Sequence, residues 1–147
     1  MDGKPHAGAL RRGRYSEPGR IYLVTSVTRG RRPVFRDLAA ARVLVRALRR
    51  EEELQRASTL AYVVMPDHLH WLLALGEKRS LSVVVRAVKA VTAHELGCPI
   101  WQAGFHDHAL RQEEDLAALA RYVVNNPVRA GLVRRVADYS HWDAVWL

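Results

Sequence analysis

Two histidines two residues apart, His68 and His70, have the types and spacing most suggestive of chemistry in this chain. They open an apolar stretch that follows the turn residues Pro66 and Asp67, which predicts a strand. Side chains two apart on a strand point to the same face, so both imidazoles project together, about 7 Å apart along the strand. The pair predicts part of a metal site. Such a site needs three or four ligands, and ordinary half-buried strand histidines can have the same spacing.

Tyr122 and Asn126 form a second pair with chemical potential, in a segment that the pattern predicts to be helical over residues 113–126. At 100° per residue, the two side chains stack one turn apart on the border of the apolar stripe of that helix. Most exposed tyrosines are amphipathic packing residues. The pair by itself therefore assigns no function.

The elements that must position these residues follow from the periodicity of apolar side chains. Strands are predicted at residues 21–28, 60–65 and 68–75 and near 105–111, and helices at residues 37–56, 81–96, 113–126 and 128–136. Asp37 and Ser80 are the expected N-caps, and Gly97 ends the second helix, whose valine content leaves a strand as the alternative. This order predicts an α+β fold: a ferredoxin-like or RRM-like antiparallel sheet with helices packed on it.

The chain length of 147 residues predicts one folded domain at residues 20–138, preceded by a flexible basic arm (1–19) and followed by a tail (139–147). Trp142 and Trp146 in the tail are expected to fold back onto the body. The single cysteine, Cys98, cannot form an internal disulfide and is expected to be a small buried residue. Because no apolar run reaches 18 residues and no secretion signal is evident, we expect a cytoplasmic protein without a membrane partner.

Positive charge is concentrated near the N-terminus, where residues 1–36 hold nine basic and two acidic side chains of a chain with net charge +8. This asymmetry points to a polyanionic partner such as nucleic acid, although a solubilising tail has the same composition. Arginine suits bidentate contacts with phosphates and base edges. The candidate DNA-binding residues are Arg11, Arg12, Arg14, Arg29, Arg31, Arg32 and, on the second helix, Lys89.

A second histidine pair, His106 and His108, is a rival metal site. Asp107 separates these two histidines, and the flanking residues are polar and typical of a loop. A shared strand face is therefore less assured than for the first pair. We expect a role in backbone positioning or DNA contact first and in metal binding second.

In combination, these motifs resemble the single-tyrosine HUH transposases, in particular the branch associated with repetitive extragenic palindromes (REPs) in bacteria. The matching stretches are residues 62–73 (YVVMPDHLHWLL), 101–111 (WQAGFHDHALR) and 122–133 (YVVNNPVRAGLV), with a weaker match over 22–32. Together they span most of the chain from about residue 20 onward. One departure is Asp67, where the family more often has asparagine.

The resemblance implies an HUH endonuclease fold and a metal-dependent enzyme that cleaves and rejoins single-stranded or hairpin DNA. It implies that Tyr122 is the nucleophile, forming a 5′-phosphotyrosine, and that His68, His70 and the Asn126 amide oxygen bind a divalent metal, Mg²⁺ or Mn²⁺. A monomer is implied rather than a dimer that shares its active sites. The group that activates the tyrosine is not indicated.

Two other functions are compatible with the sequence. A non-catalytic, domesticated nucleic-acid-binding module would need no nucleophile, but the complete set of tyrosine, two histidines and asparagine argues against it. The strands also lack the aromatic pattern by which an RRM-like sheet binds RNA. A metal-dependent hydrolase would use water in place of the tyrosine.

Overall fold

A mixed α+β fold is built around one antiparallel sheet in the computed structural model, which describes residues 19–111 and 116–144. The strands are β1 (Ile21–Val27), β2 (Ala57–Met65), β3 (His68–Leu75), β4 (His106–Ala109) and β5 (Trp142–Ala144). Their order across the sheet is β4-β1-β3-β2-β5. The helices are α1 (Leu38–Glu53), α2 (Leu81–Leu96), α3 (Leu116–Val124) and α4 (Asn126–Arg129). The predicted fold class is confirmed.

One face of the sheet is covered by α1 and α2. The bounds of α2 are those predicted, whereas α1 begins where predicted but ends at Glu53, three residues before the predicted end. Asp37 caps α1 by accepting a hydrogen bond from the Ala39 amide at 2.9 Å, and the Ser80 hydroxyl accepts one from the Val83 amide. Gly97 ends α2 in a left-handed conformation with φ of 76°, which costs little without a Cβ. The helical interpretation of the valine-rich segment is confirmed.

The other face carries a smaller core, formed by α3 against the strands β2, β3 and β5. Val123 and Val124 of α3 are buried with Val63 and Leu72 of the sheet. The strand β5 was not predicted: it pairs antiparallel with β2, with Trp142 opposite Val63. The expected return of Trp142 onto the body is confirmed, whereas Trp146 and the arm up to residue 18 lie outside the described residues.

The helical prediction is wrong in detail around Asn126. Instead of one helix to Asn126, α3 ends at Val124, Asn125 forms a turn, and the four-residue α4 follows. Pro127 explains the break, since proline has no N–H and its ring clashes with the preceding turn. The predicted helix over 128–136 ends at Arg129, because Gly131 adopts a φ of 77° and closes the helix end, with the Leu132 amide donating to the Pro127 carbonyl.

Cys98 is also not where we expected it. It is exposed, because it directly follows the left-handed Gly97 and so lies beyond the packed face of α2. Within the described ranges, no helix has both the length and the apolar character needed to cross a membrane.

Candidate active site

The alternation of β3 places His68 and His70 together on the face of the sheet that α3 partly covers. Their ring centroids lie 4.7 Å apart with an interplanar angle of 80°. Leu69 and Trp71, the intervening and following residues, are buried on the opposite face with α1 and α2. The prediction that both imidazoles lie on the same face of one strand is therefore confirmed.

His68 is oriented by the residue before it. Its Nδ1 lies 2.7 Å from Oδ1 of Asp67, whose Oδ2 accepts a hydrogen bond from Arg31 at 3.0 Å. Desolvation would raise the pKa of Asp67, but the hydrogen bonds from His68 and Arg31 outweigh it and lower this pKa. The carboxylate thus stays ionised and accepts from a protonated Nδ1, which leaves Nε2 of His68 as the lone-pair nitrogen.

His70 is held in the same way from the neighbouring strand. Thr25 lies opposite His70 in the register of β1 and β3, and its Oγ1 is 2.9 Å from Nδ1 of His70. Burial lowers the pKa of His70 to about 4, aided by repulsion from His68, in the form that carries a proton on both nitrogens, and from Arg129. The ring is therefore neutral at pH 7, the form in which an imidazole binds metal.

Sequence reasoning did not identify Asp67 and Thr25 as partners of the two histidines. The Thr25 contact joins residues 45 apart in the chain, so local patterns do not contain it. One signal was available: Thr25 is the polar residue in the otherwise apolar row of Ile21, Leu23 and Val27, which share its face of β1. A hydroxyl in such a row is an indication of a polar partner across the sheet.

The donor set fits a divalent metal. With both Nδ1 atoms held by Asp67 and Thr25, the two Nε2 atoms are left as ligands, an arrangement typical of metal-binding histidines. Among the described residues, no group of three or more His, Cys, Asp or Glu side chains is placed to hold a metal. Among the residues that the structure describes, the Asn126 amide oxygen is a candidate for a third protein ligand.

Asn126 is the first residue of α4 and is half-buried. Its side-chain amide makes no hydrogen bond within residues 19–111 and 116–144. The break at Asn125 means that Asn126 and Tyr122 do not belong to one continuous helix, contrary to the prediction. Whether Asn126 is a ligand stays a prediction.

Tyr122 lies on the outer side of α3 with 52% of its surface exposed. The guanidinium carbon of Arg129 is 3.8 Å from the centroid of its ring. Arg129 is also one of the charges that lower the pKa of His70. This arginine therefore links the predicted nucleophile to the histidine pair electrostatically. Arg129 was not among the site residues predicted from the sequence.

The second histidine pair shares the face of the first, which the sequence left uncertain. β4 pairs with β1, so that His106 lies opposite Thr25 and His108 opposite Leu23. Since Thr25 also lies opposite His70, His106, Thr25 and His70 form one row across three strands. Two strand spacings amount to about 10 Å between the backbones of the histidines, so a shared ion is not indicated.

The predicted DNA-binding residues fall into three groups. In the first group, Arg31 donates a hydrogen bond to Asp67, and Arg32 donates one to the Pro99 carbonyl at 3.1 Å. The contact with Asp67 places this loop beside the histidine pair. No side-chain contact of Arg29 is seen among the described residues. Lys89 donates to the carbonyls of Gln102 and Gly104 at 3.0 and 2.6 Å, which gives it a structural role in the loop before β4. Arg11, Arg12 and Arg14 lie outside the described residues. A DNA contact stays a prediction for all of these side chains.

Comparisons with known proteins identify a family and a fold. The family model described as "Transposase IS200 like" matches residues 19–126. A REP-associated tyrosine transposase of Escherichia coli K12 is 37% identical over 82 residues, which cover 54% of this chain and 49% of that protein. A Haemophilus influenzae protein provisionally assigned to the same class is 29% identical over 100 residues, which cover 56% of each chain.

Among solved structures, a REP-associated tyrosine transposase bound to a REP hairpin superimposes with a TM-score of 0.77 at 28% identity. The match covers 87% of this chain and 78% of that one. The chain spans about half the length of the curated relatives that it matches.

Proposed function

This chain belongs to the family of IS200-like transposases, and we propose that it cleaves and rejoins single-stranded DNA through a covalent bond to Tyr122. The observation that carries the proposal is the histidine pair. The ring centroids of the two imidazoles lie 4.7 Å apart, and each Nδ1 is held by a second residue, which leaves two Nε2 atoms on one sheet face. A merely structural pair would need no such orientation.

The proposed reaction exchanges one phosphodiester for another. The phenol oxygen of Tyr122 attacks phosphorus, a new P–O bond forms to the tyrosine, and the bond from phosphorus to the 3′ oxygen breaks. The phenol proton leaves to solvent or a base, and the departing 3′ oxygen takes up a proton to become a 3′-hydroxyl. Because the phosphotyrosine conserves the phosphodiester energy, attack by another 3′-hydroxyl rejoins DNA without ATP.

His68, His70 and Asn126 are the proposed ligands of a divalent cation, Mg²⁺ or Mn²⁺, with phosphate and water oxygens completing its shell. When bound, the ion would polarise the scissile phosphate and offset its developing negative charge. Asp67 and Thr25 contribute by fixing the ring orientations of the two histidines. The exposed position of Tyr122 leaves its hydroxyl open to an incoming strand.

Hairpin DNA with a single-stranded flank is the proposed substrate, since the REP-associated tyrosine transposase that superimposes with a TM-score of 0.77 is bound to a REP hairpin. The basic loop at Arg29, Arg31 and Arg32 supports this choice, because Arg31 joins it directly to Asp67 beside the histidines. Arginines at this position would contact phosphates next to the cleavage site. We propose that the protein acts as a monomer, as the resemblance implies.

A denaturing-gel assay tests the proposal. The protein is incubated with Mn²⁺ and a hairpin oligonucleotide labelled at its 3′ end, since a 5′-phosphotyrosine retains the fragment downstream of the cut. We expect a labelled protein band for the wild type and none for Tyr122→Phe, because a phenyl ring has no nucleophilic oxygen. Hairpin affinity should be nearly unchanged.

Tyr62→Phe is the matched control, because it removes the hydroxyl of a half-buried tyrosine on the face of the sheet that packs against α1 and α2, away from the histidine pair. This variant should form the adduct normally. A Tyr122→Phe protein that still carries label would contradict the assignment. Cleavage without any adduct would instead indicate a hydrolase, and binding without cleavage a non-catalytic module.

A further inference from the structure

Arg129 is a charged side chain in direct contact with the ring of Tyr122. Its guanidinium carbon lies 3.8 Å from the centre of the tyrosine ring, although the residues are seven apart in the chain. Seven residues of straight helix span about 10.5 Å. The contact therefore depends on the long arginine side chain and on the break at Asn125 between α3 and α4.

The surroundings of Arg129 differ from those of the other arginines near the site. Arg31 is paired with Asp67 and Arg32 with a backbone carbonyl. Within residues 19–111 and 116–144, Arg129 has no carboxylate partner, and it is exposed. Its N–H donors are therefore not committed to a structural bond there, while its carbon rests on the ring of Tyr122.

We propose that Arg129 is a further catalytic residue, which holds the Tyr122 ring before reaction and binds the phosphate that Tyr122 attacks. This inference rests on the proposed function. It also assigns a role to the break after α3, since the break allows one side chain to reach over the nucleophile. The ligand class is a phosphodiester, which the stacked guanidinium would contact through two parallel N–H donors.

The chemistry of arginine suits both parts of this role. A guanidinium is planar, stacks on aromatic faces and presents its N–H groups in its own plane, so stacking does not consume its donors. As the bond between the phenol oxygen and phosphorus forms and the bond to the 3′ oxygen breaks, charge grows on the non-bridging oxygens. Two fixed donors stabilise that charge more in the transition state than in the bound substrate.

Arg129 also shares the short helix α4 with Asn126, the proposed third metal ligand, which lies three residues earlier. Side chains three apart on a helix are neighbours. A guanidinium that contacts the tyrosine ring and shares a helix with a proposed metal ligand is suited to meet the phosphate that Tyr122 attacks.

The test measures single-turnover adduct formation and hairpin affinity separately for Arg129→Ala and Arg129→Lys. We expect Arg129→Ala to form the adduct about 100- to 1,000-fold more slowly, the range for removing one preorganised donor to a transition state. The affinity of Arg129→Ala for the hairpin should stay within about threefold of the wild-type value, because substitutions of exposed residues usually have small effects. Arg129→Lys should recover little of the rate, because an ammonium neither stacks as a plane nor donates in parallel.

Chemical rescue and a matched control separate catalysis from structure. Guanidinium at millimolar concentration, far below the molar range that unfolds proteins, should accelerate Arg129→Ala but neither the wild type nor Tyr122→Phe. Arg121→Ala removes an equal charge from the residue before Tyr122 and should keep the wild-type rate.

Three results would overturn the inference. Arg129→Ala could react at the wild-type rate, it could lose affinity as much as rate, which would make Arg129 a DNA-gripping residue, or it could be slow without rescue by guanidinium, which would make its role structural. A wild type that forms no adduct would remove the proposed function and this inference together. A normal wild type with a normal Arg129→Ala would remove only the inference.

Discussion

The two faces of the central sheet differ in how they use the same strands. Under α1 and α2, the core contains 19 buried residues of the described chain, whereas the core on the face under α3 contains eight. β3 serves both: Trp71 is buried on the first face, and its neighbour His70 lies on the second beside Thr25. Packing therefore supports the strand from one side, which leaves polar side chains on the other side free for chemistry.

This division explains how the site can be rigid without being sealed. The backbone of β3 is hydrogen-bonded on both edges, by β1 and β2, so the two histidines have a fixed spacing. The proposed nucleophile, Tyr122, belongs to a short helix that is followed by a break, and it is half-exposed. We infer that the two proposed histidine ligands are held by the sheet, whereas the tyrosine is held mainly by its contact with Arg129.

Substitution of two adjacent residues on β3, His70 and Trp71, should show the difference between the two faces of the sheet most clearly. His70→Ala should abolish adduct formation, because it removes a proposed metal ligand, and should change the free energy of unfolding by less than about 1 kcal/mol. Trp71→Ala should destabilise the fold by about 3–5 kcal/mol, because it empties a core position. Adduct gels and urea unfolding measure the two effects. Instability of His70→Ala equal to that of Trp71→Ala would show that the faces do not divide in this way.

Substitution of Asp67 should have an effect of intermediate size, on the affinity for Mn²⁺. Asp67→Ala should weaken Mn²⁺ binding about 10- to 100-fold, the usual cost of losing an outer partner of a metal-binding histidine. Asp67→Asn should lose less, because its amide oxygen still accepts a hydrogen bond from Nδ1 of His68. Titration followed by Mn²⁺ electron paramagnetic resonance measures the affinity without DNA.

Asp138→Asn is the control for this titration, since Asp138 is an exposed carboxylate paired with Arg135. It should bind Mn²⁺ as the wild type does. Equal affinity in Asp67→Ala and the wild type would show that Asp67 does not orient a ligand.

The basic arm should produce the smallest effect, on salt dependence. For binding to single-stranded DNA, the slope of log affinity against log salt concentration becomes shallower by about 0.7 for each phosphate contact removed. Deleting residues 1–18 removes Arg11, Arg12 and Arg14, so the slope should flatten by about 2 if each of the three contacts one phosphate. Fluorescence anisotropy of a labelled hairpin at several salt concentrations measures the slope. An unchanged slope would exclude the arm from the interface.

Local patterns predicted the parts of this molecule that local forces determine. The alternation of β1 and β3 and the caps at Asp37, Ser80 and Gly97 were predictable, because each depends on residues within one turn or one strand. The spacing of His68 and His70 likewise predicted their shared face.

Features that depend on distant contacts were not predictable in the same way. The strand β5 exists because Trp142 and its neighbours pair with an edge of β2, far away in the chain. The Thr25 partner of His70 and the stacking of Arg129 on Tyr122 depend on register and on a helix break. A pattern of apolar residues contains neither piece of information.

Peptide mapping of the covalent adduct tests the central claim most directly. After reaction with a hairpin oligonucleotide and digestion by protease and nuclease, mass spectrometry locates the residue that carries the remaining nucleotides. We predict a single modified peptide that contains Tyr122, linked through a 5′ phosphate. An adduct on any other residue, or cleavage products with no modified peptide, would contradict the assignment of Tyr122 as the nucleophile.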